Sequence, residues 1–198
     1  MSILAEILAR WDSNEGKPYK GSLIDWEAYE QNPSSISCYC AQGQVLHLLA
    51  GWEQERLRNT EQEDADKETA KLLNISIAHS ILLRSVNDKQ DGAPSIVLTA
   101  PEKVLGDQAR VVLAFWLHMD RMTDKEWDAA WDAAWDAAWA AARAAAWAAA
   151  WHAAYACSEI QGARIMREKG QPFFFLPLFG FADPEAIPSL PADYGRMA

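Results

Sequence analysis

From Trp127 to Ala138 the tetrapeptide Trp-Asp-Ala-Ala occurs three times without interruption. It decays through Trp139-Ala-Ala-Ala, Arg143-Ala-Ala-Ala, Trp147-Ala-Ala-Ala, Trp151-His-Ala-Ala and Tyr155-Ala-Cys-Ser. A strict period of four in an Ala-dominated segment leaves helix as the only regular structure with a local preference behind it. Thr123-Asp-Lys-Glu126 is a capping box at its start, and no Gly or Pro follows until Gly162. The helix is expected to extend to Lys169, before Gly170 and Pro172.

The period does not match the helical turn, and the mismatch has consequences. At about 100° per residue, each step of four carries the large side chain roughly 40° around the axis. Trp127 to Trp139 therefore sweep about 120°, while Trp147 to Tyr155 reach the opposite side, with Arg143 at the crossover. One flat neighbour cannot cover both halves. An unbroken helix over residues 124–169 would be about 69 Å long, against a diameter near 40 Å for a compact domain of this size. It is expected to break around Ser158–Gly162, to project, or to be covered by a second copy. Homo-oligomerisation through Trp127, Trp131, Trp135, Trp139, Trp147, Trp151 and Tyr155 is the preferred expectation, since exposed Trp rings invite association. The array resembles the Ala/Trp tandem tracts of small bacterial and phage proteins. That likeness of composition spans about 30 residues, agrees with expansion of a short repeat, and implies no activity.

Elsewhere the pattern is also helical, and an all-α bundle around the Ala/Trp helix is expected. Residues 1–170 would form the helical domain, and residues 171–198, with five of the nine prolines and the block Phe173–Phe181, an extended arm packed on it. Helices are expected over Ser2–Trp11, Ser22–Tyr29, Ser37–Ala50 (stopped by Gly51), Thr60–Leu73 and Ser76–Val86, the last after a stop at Asn74. Thr60-Glu-Gln-Glu63 and Thr99-Ala-Pro-Glu102 read as further capping boxes, the second opening Val104–Met119 with a break at Gly106. Ile96–Thr99 reads as a short strand.

Eighteen basic against 28 acidic residues give a net charge of −10, which points away from nucleic acid. The acid excess lies in Glu53–Glu68 and Asp124–Asp136. A membrane span in the repeat is not expected, because Arg143 sits mid-tract and Leu, Ile and Val are absent from it. The first ten residues lack a basic leader or a long apolar run, and the three cysteines (Cys38, Cys40, Cys157) make an odd count, so a cytoplasmic setting is expected.

Several side chains are candidates for chemistry. Cys40, Gln44 and His47 would share the outer face of the Ser37–Ala50 helix, with Cys38 on the inner face. A thiol and an imidazole are the raw material of nucleophilic catalysis, although seven residues separate them by roughly 10 Å along the axis. Cys38 and Cys40 with His47 fall short of a zinc site. His118 and Asp120 would make an acid–base pair at a helix end. His79 and His152 read as core or interface histidines. Asp128, Asp132 and Asp136 form an acidic row suited to a basic partner and read as solvated carboxylates. Arg143 with Trp139 and Trp147 would suit an anionic small molecule in an aromatic pocket. No phosphate loop, dinucleotide fingerprint, nucleophile elbow or metalloprotease helix is present. No cofactor and no metal is implied.

The preferred expectation is a non-enzymatic acidic interaction protein, self-associating and binding another macromolecule, with a phage or mobile-element protein acting on a host protein as one setting. The alternatives are a small-molecule or nucleotide binder near Arg143, and a hydrolase or transferase using Cys40 and His47 or His118 and Asp120.

Overall fold

The computed structural model describes residues 3–13, 16–144 and 176–195, with side chains of the repeat helix described as far as residue 134. The chain is all-α. Its two compact units are Met1–Asp120 with Ser189–Ala198, and Arg121–Pro188.

In the first unit the helices are α1 (Ile3–Ser13), α2 (Trp26–Gln31), α3 (Ala41–Ala50), α4 (Gln54–Asn59), α5 (Gln62–Leu73), α6 (Ile77–Lys89), α7 (Ile96–Thr99), α8 (Glu102–Leu105) and α9 (Ala109–Arg121). α3 is the helix the others surround, packing on α1, α5 and α6. Its first six residues, Ala41–Leu46, are all buried. One apolar cluster joins Ile7 and Trp11 of α1 to Val45, Leu73, Leu83 and Val97. Another collects Leu23, Tyr39, Leu46, Trp52 and Leu57.

Punctuation read from the sequence operates where the residue has no rival use. Gly51 ends α3 in the left-handed region at φ 65°, and Asn74 ends α5 likewise at φ 50°. Ser76 caps α6 by accepting the His79 N–H. Two capping boxes and one strand need correction. Thr60 Oγ1 donates to the Arg56 carbonyl at 2.6 Å, so it closes α4 and leaves Glu61 to precede α5. Thr99 Oγ1 donates back to Ser95 O at 3.0 Å, and Pro101 starts α8. In both cases a hydroxyl bonded to the carbonyl four residues back is not free to cap the next helix. Ile96–Thr99 is a one-turn helix, because a lone strand would leave its backbone unpaired. The break expected at Gly106 within Val104–Met119 is present: with φ 77°, Gly106 separates α8 from α9.

α3 starts later than its pattern implied. Cys40 occupies the cap, its Sγ accepting Gly43 N–H at 3.3 Å, while Ile36–Cys38 forms a short 3-10 turn. Residues 19–24 run beside residues 39–40, with Tyr19 N–H donating to Tyr39 O and Cys40 N–H to Leu23 O. Gly43 permits this approach, since a Cβ there would stand 2.0 Å from Leu23 O.

In the second unit α10 is described over Asp124–Ala144. Its capping box forms: Thr123 N–H and Oγ1 donate to Glu126 Oε2 at 2.7 and 2.8 Å, and Glu126 N–H reaches Thr123 Oγ1 at 3.4 Å. The 3-10 turn Leu176–Phe179 packs on α10, with Leu176 buried and the Phe179 ring edge-on to Trp127 at 6.1 Å. No helix among the described residues is long and apolar enough to cross a membrane.

Candidate functional site

The thiol–imidazole pair does not assemble. Cys40 is enclosed, and burial pushes its thiol up to about 12, so it stays protonated and supplies no nucleophile at neutral pH. His47 Nδ1 lies 2.8 Å from the Trp52 carbonyl, and its ring stacks on Tyr39 at 4.9 Å. Cys38 is also buried and donates to Ser35 O at 2.9 Å. Gln44, expected on an outer face with Cys40 and His47, is fully buried. Cys38 and Cys40 precede the helix, and α3 is enclosed on every side over Ala41–Leu46, so its first half has no outer face.

The Asp120 carboxylate accepts the Ile77 N–H at 2.7 Å, placing a negative charge at the N-terminus of α6. His118 is half-buried two residues before it on α9. His79 is a core residue, as expected, with both ring nitrogens in hydrogen-bond range of Val97 O and Tyr194 Oη. Among the described residues no group of three His, Cys, Asp or Glu side chains is placed to hold a metal ion.

Two polar networks went unread in the sequence. Gln42 Nε2 lies within bonding distance of Asp66 Oδ1 (2.8 Å), Ser80 O and Ser80 Oγ, and its Oε1 accepts from Gln62. Arg84 completes the group through Nε and Nη2 to the two Asp66 oxygens, at 3.1 and 2.9 Å. Gln44 accepts Trp11 Nε1–H at 2.8 Å and points its amide at the carbonyls of Gly16, Ile36 and Tyr39. Both are self-satisfied braces tying α3 to α1, α5 and α6. Two Gln flanking a Gly, in a helix otherwise apolar apart from His47, were the available signal. A cleft of about 440 Å³ opens beside α4 and α5, lined by Trp52, Arg56, Asn59 and Asp64 among others. Its two cations are already engaged, the Arg56 guanidinium lying 3.6 Å over the Trp52 ring and Lys67 Nζ 2.7 Å from Glu63 Oε1.

The remaining candidate is the repeat itself. Taking Trp127 as zero, Ala130 lies about 60° to one side around α10 and is buried. To the other side come Trp131 at about 40°, Asp124 at about 60°, Asp128 at about 100° and Asp132 at about 140°. Trp127 is 43% exposed and Trp131 73%, and the three carboxylates are exposed beside them. The result is an aromatic ridge with one covered flank and one acidic flank. Trp135, Asp136, Trp139 and Arg143 lie farther along the same helix, and Trp147, Trp151, His152 and Tyr155 lie outside the described residues.

No protein-family model matches this chain, and no curated protein or solved structure does so.

Proposed function

We propose that this chain is a non-enzymatic interaction protein that self-associates through the Trp–Asp face of α10 and presents an acidic surface to a further macromolecule. The observation that carries the reading is Trp131, the most exposed of the large apolar side chains among the described residues. A Trp held on a helix and rimmed by charge is the composition of an interface anchor. The occupant that fits best is a second copy in antiparallel register. From Trp139 to Ser158 the repeat carries Arg143 and His152 and no acidic residue, whereas Asp124–Asp136 carries five acids and one Lys. On charge alone, antiparallel pairing would bring the acid-free part of the repeat to Asp124–Asp136, and parallel pairing would oppose like charges. With a charge of −10 per chain, the further partner is a protein with a basic contact surface.

Sedimentation equilibrium of the full chain tests this. The wild type is expected as a dimer or larger that weakens with salt, and Trp131→Ala as a monomer of unchanged helicity. A monomeric wild type at tens of micromolar, on the order of an ordinary weak interface, overturns the self-pairing and leaves the face to a heterologous partner.

A further inference from the structure

Ser189–Ala198 belongs to the first compact unit although it follows the second in the chain, and one side chain does most to fix it there. Tyr194 Oη lies 3.1 Å from the Ser76 backbone nitrogen, 3.3 Å from Ser76 Oγ and 3.1 Å from His79 Nδ1. Its ring stacks on the imidazole, with centroids 5.9 Å apart and planes at 14°. Around it, Asn74 Nδ2 donates to Asp193 O at 2.7 Å, and Gly195 N–H donates to Asn74 O at 2.8 Å. The tyrosine also packs on the apolar cluster that contains Leu73 and Ile75.

With a neutral imidazole, the donors and acceptors of this cluster match one to one. His79 Nε2 lies 2.9 Å from Val97 O, and a carbonyl only accepts, so Nε2 carries a hydrogen and, in the neutral imidazole, Nδ1 is bare. Tyr194 therefore donates to Nδ1. Its oxygen accepts the Ser76 N–H and the Ser76 hydroxyl, while Ser76 Oγ accepts the His79 N–H at 3.2 Å. Each donor has one acceptor. A second proton on His79 removes an acceptor and adds a donor at the same nitrogen. Tyr194 must then turn its hydrogen to Ser76 Oγ, and the fully buried Ser76 hydroxyl is left without an acceptor in the cluster.

The groups facing the imidazole are Ser76 on its own helix, the Val97 backbone on α7 and Tyr194 on the C-terminal segment. The nearby carboxylate, Asp120 at the end of α9, gives an oxygen to Ile77 N–H. We propose that His79 is an acid-sensitive latch for the C-terminal segment: neutral, it holds Tyr194, and protonated, it lets residues 189–195 go and uncovers the apolar end of the core beneath them. Burial agrees in sign, holding His79 below its ordinary value of 6.5. The latch is thus complete above about pH 6.5 and is lost as pH falls from there through the lower folded value.

Hydrogen exchange of the Gly195 amide in the full chain, followed alongside the NMR titration of His79, tests the latch. Protection, corrected for intrinsic exchange, is expected to be flat above about pH 6.5 and to fall on the order of tenfold as His79 protonates, while amides of α3 stay protected. Tyr194→Phe keeps the ring stack and removes the hydroxyl, so its Gly195 protection is expected to be low at neutral pH and flat with pH. The latch is overturned by unchanged Gly195 protection while His79 protonates, or by an imidazole that stays neutral down to about pH 4.5. It is equally overturned if α3 amides lose protection in the same step, or if Tyr194→Phe keeps the wild-type pH step.

Discussion

α3 and α10 exchange the places that their side chains would assign them. α3 carries Gln42, Gln44 and His47 within ten residues, yet both glutamines are fully buried. α10 opens with a Trp every fourth residue, yet Trp131 is mostly in solvent. Burial here follows the matching of polar groups rather than the ranking of side chains by hydrophobicity. Every donor and acceptor of the two Gln amides meets a partner, which offsets their desolvation. Gly43 lets the neighbouring chain at Leu23 come close. α10 needs no such partners to exist, because Ala-rich sequence and a complete capping box stabilise it locally, and a helix made that way is free to present its Trp to another molecule.

The comparison breaks first at Asp66, where three side chains converge. Asp66→Ala strands the Arg84 guanidinium and removes an acceptor from Gln42 and Gln62. A loss of about 3 kcal/mol in urea unfolding is expected. A loss below about 1 kcal/mol would mean that matched polarity does not hold α3 in the core. Gly43→Ala attacks the same helix sterically. The added methyl meets the Leu23 carbonyl, a backbone atom that no rotamer can move aside, and about 2 kcal/mol should be lost. Should Gly43→Ala unfold at the wild-type urea midpoint, the close approach of residues 19–24 to α3 is not tight in solution.

The same contrast explains what was legible in the sequence. The all-α class, the end of α3 at Gly51, the left-handed Asn74 and the capping box at Thr123 all depend on residues within four positions of one another, and such signals survive without tertiary context. Thr60 and Thr99 looked identical to Thr123 by spacing. Each is used instead by a carbonyl four residues earlier, a choice visible only once the preceding helix exists. The brace of Gln42, Asp66 and Arg84 spans α3, α5 and α6, and Tyr194 meets His79 across 115 residues. No periodicity encodes such partners. For the candidate site, the Trp–Asp pattern was readable as a face. Which Trp would be covered was not, because that depends on where Leu176–Phe179 packs.

Thr69 supplies an internal control of the opposite sign. It is fully buried on α5, like the glutamines of α3, but its hydroxyl finds no partner. If matching is what makes buried polarity tolerable, Thr69→Val should stabilise the fold by about 1 kcal/mol, read as a higher Tm in calorimetry. Destabilisation would mean that this hydroxyl is satisfied in solution by a water or a rotamer change, and would weaken the contrast with Gln42.

The smallest effect on stability should come from the largest side chain. Trp131→Ala deletes an indole that is 73% exposed, so little buried area is lost on folding. Ala is also the better helix former, by a few tenths of a kcal/mol. The two terms oppose each other, and the monomer's urea midpoint should move by less than about 0.5 kcal/mol in either direction. That measurement is made at protein concentrations low enough to exclude association, since mass action would otherwise add the interface to the wild type alone. A large destabilisation under those conditions would place Trp131 in the fold rather than on its surface, and α10 would then differ from α3 only in how its core is built.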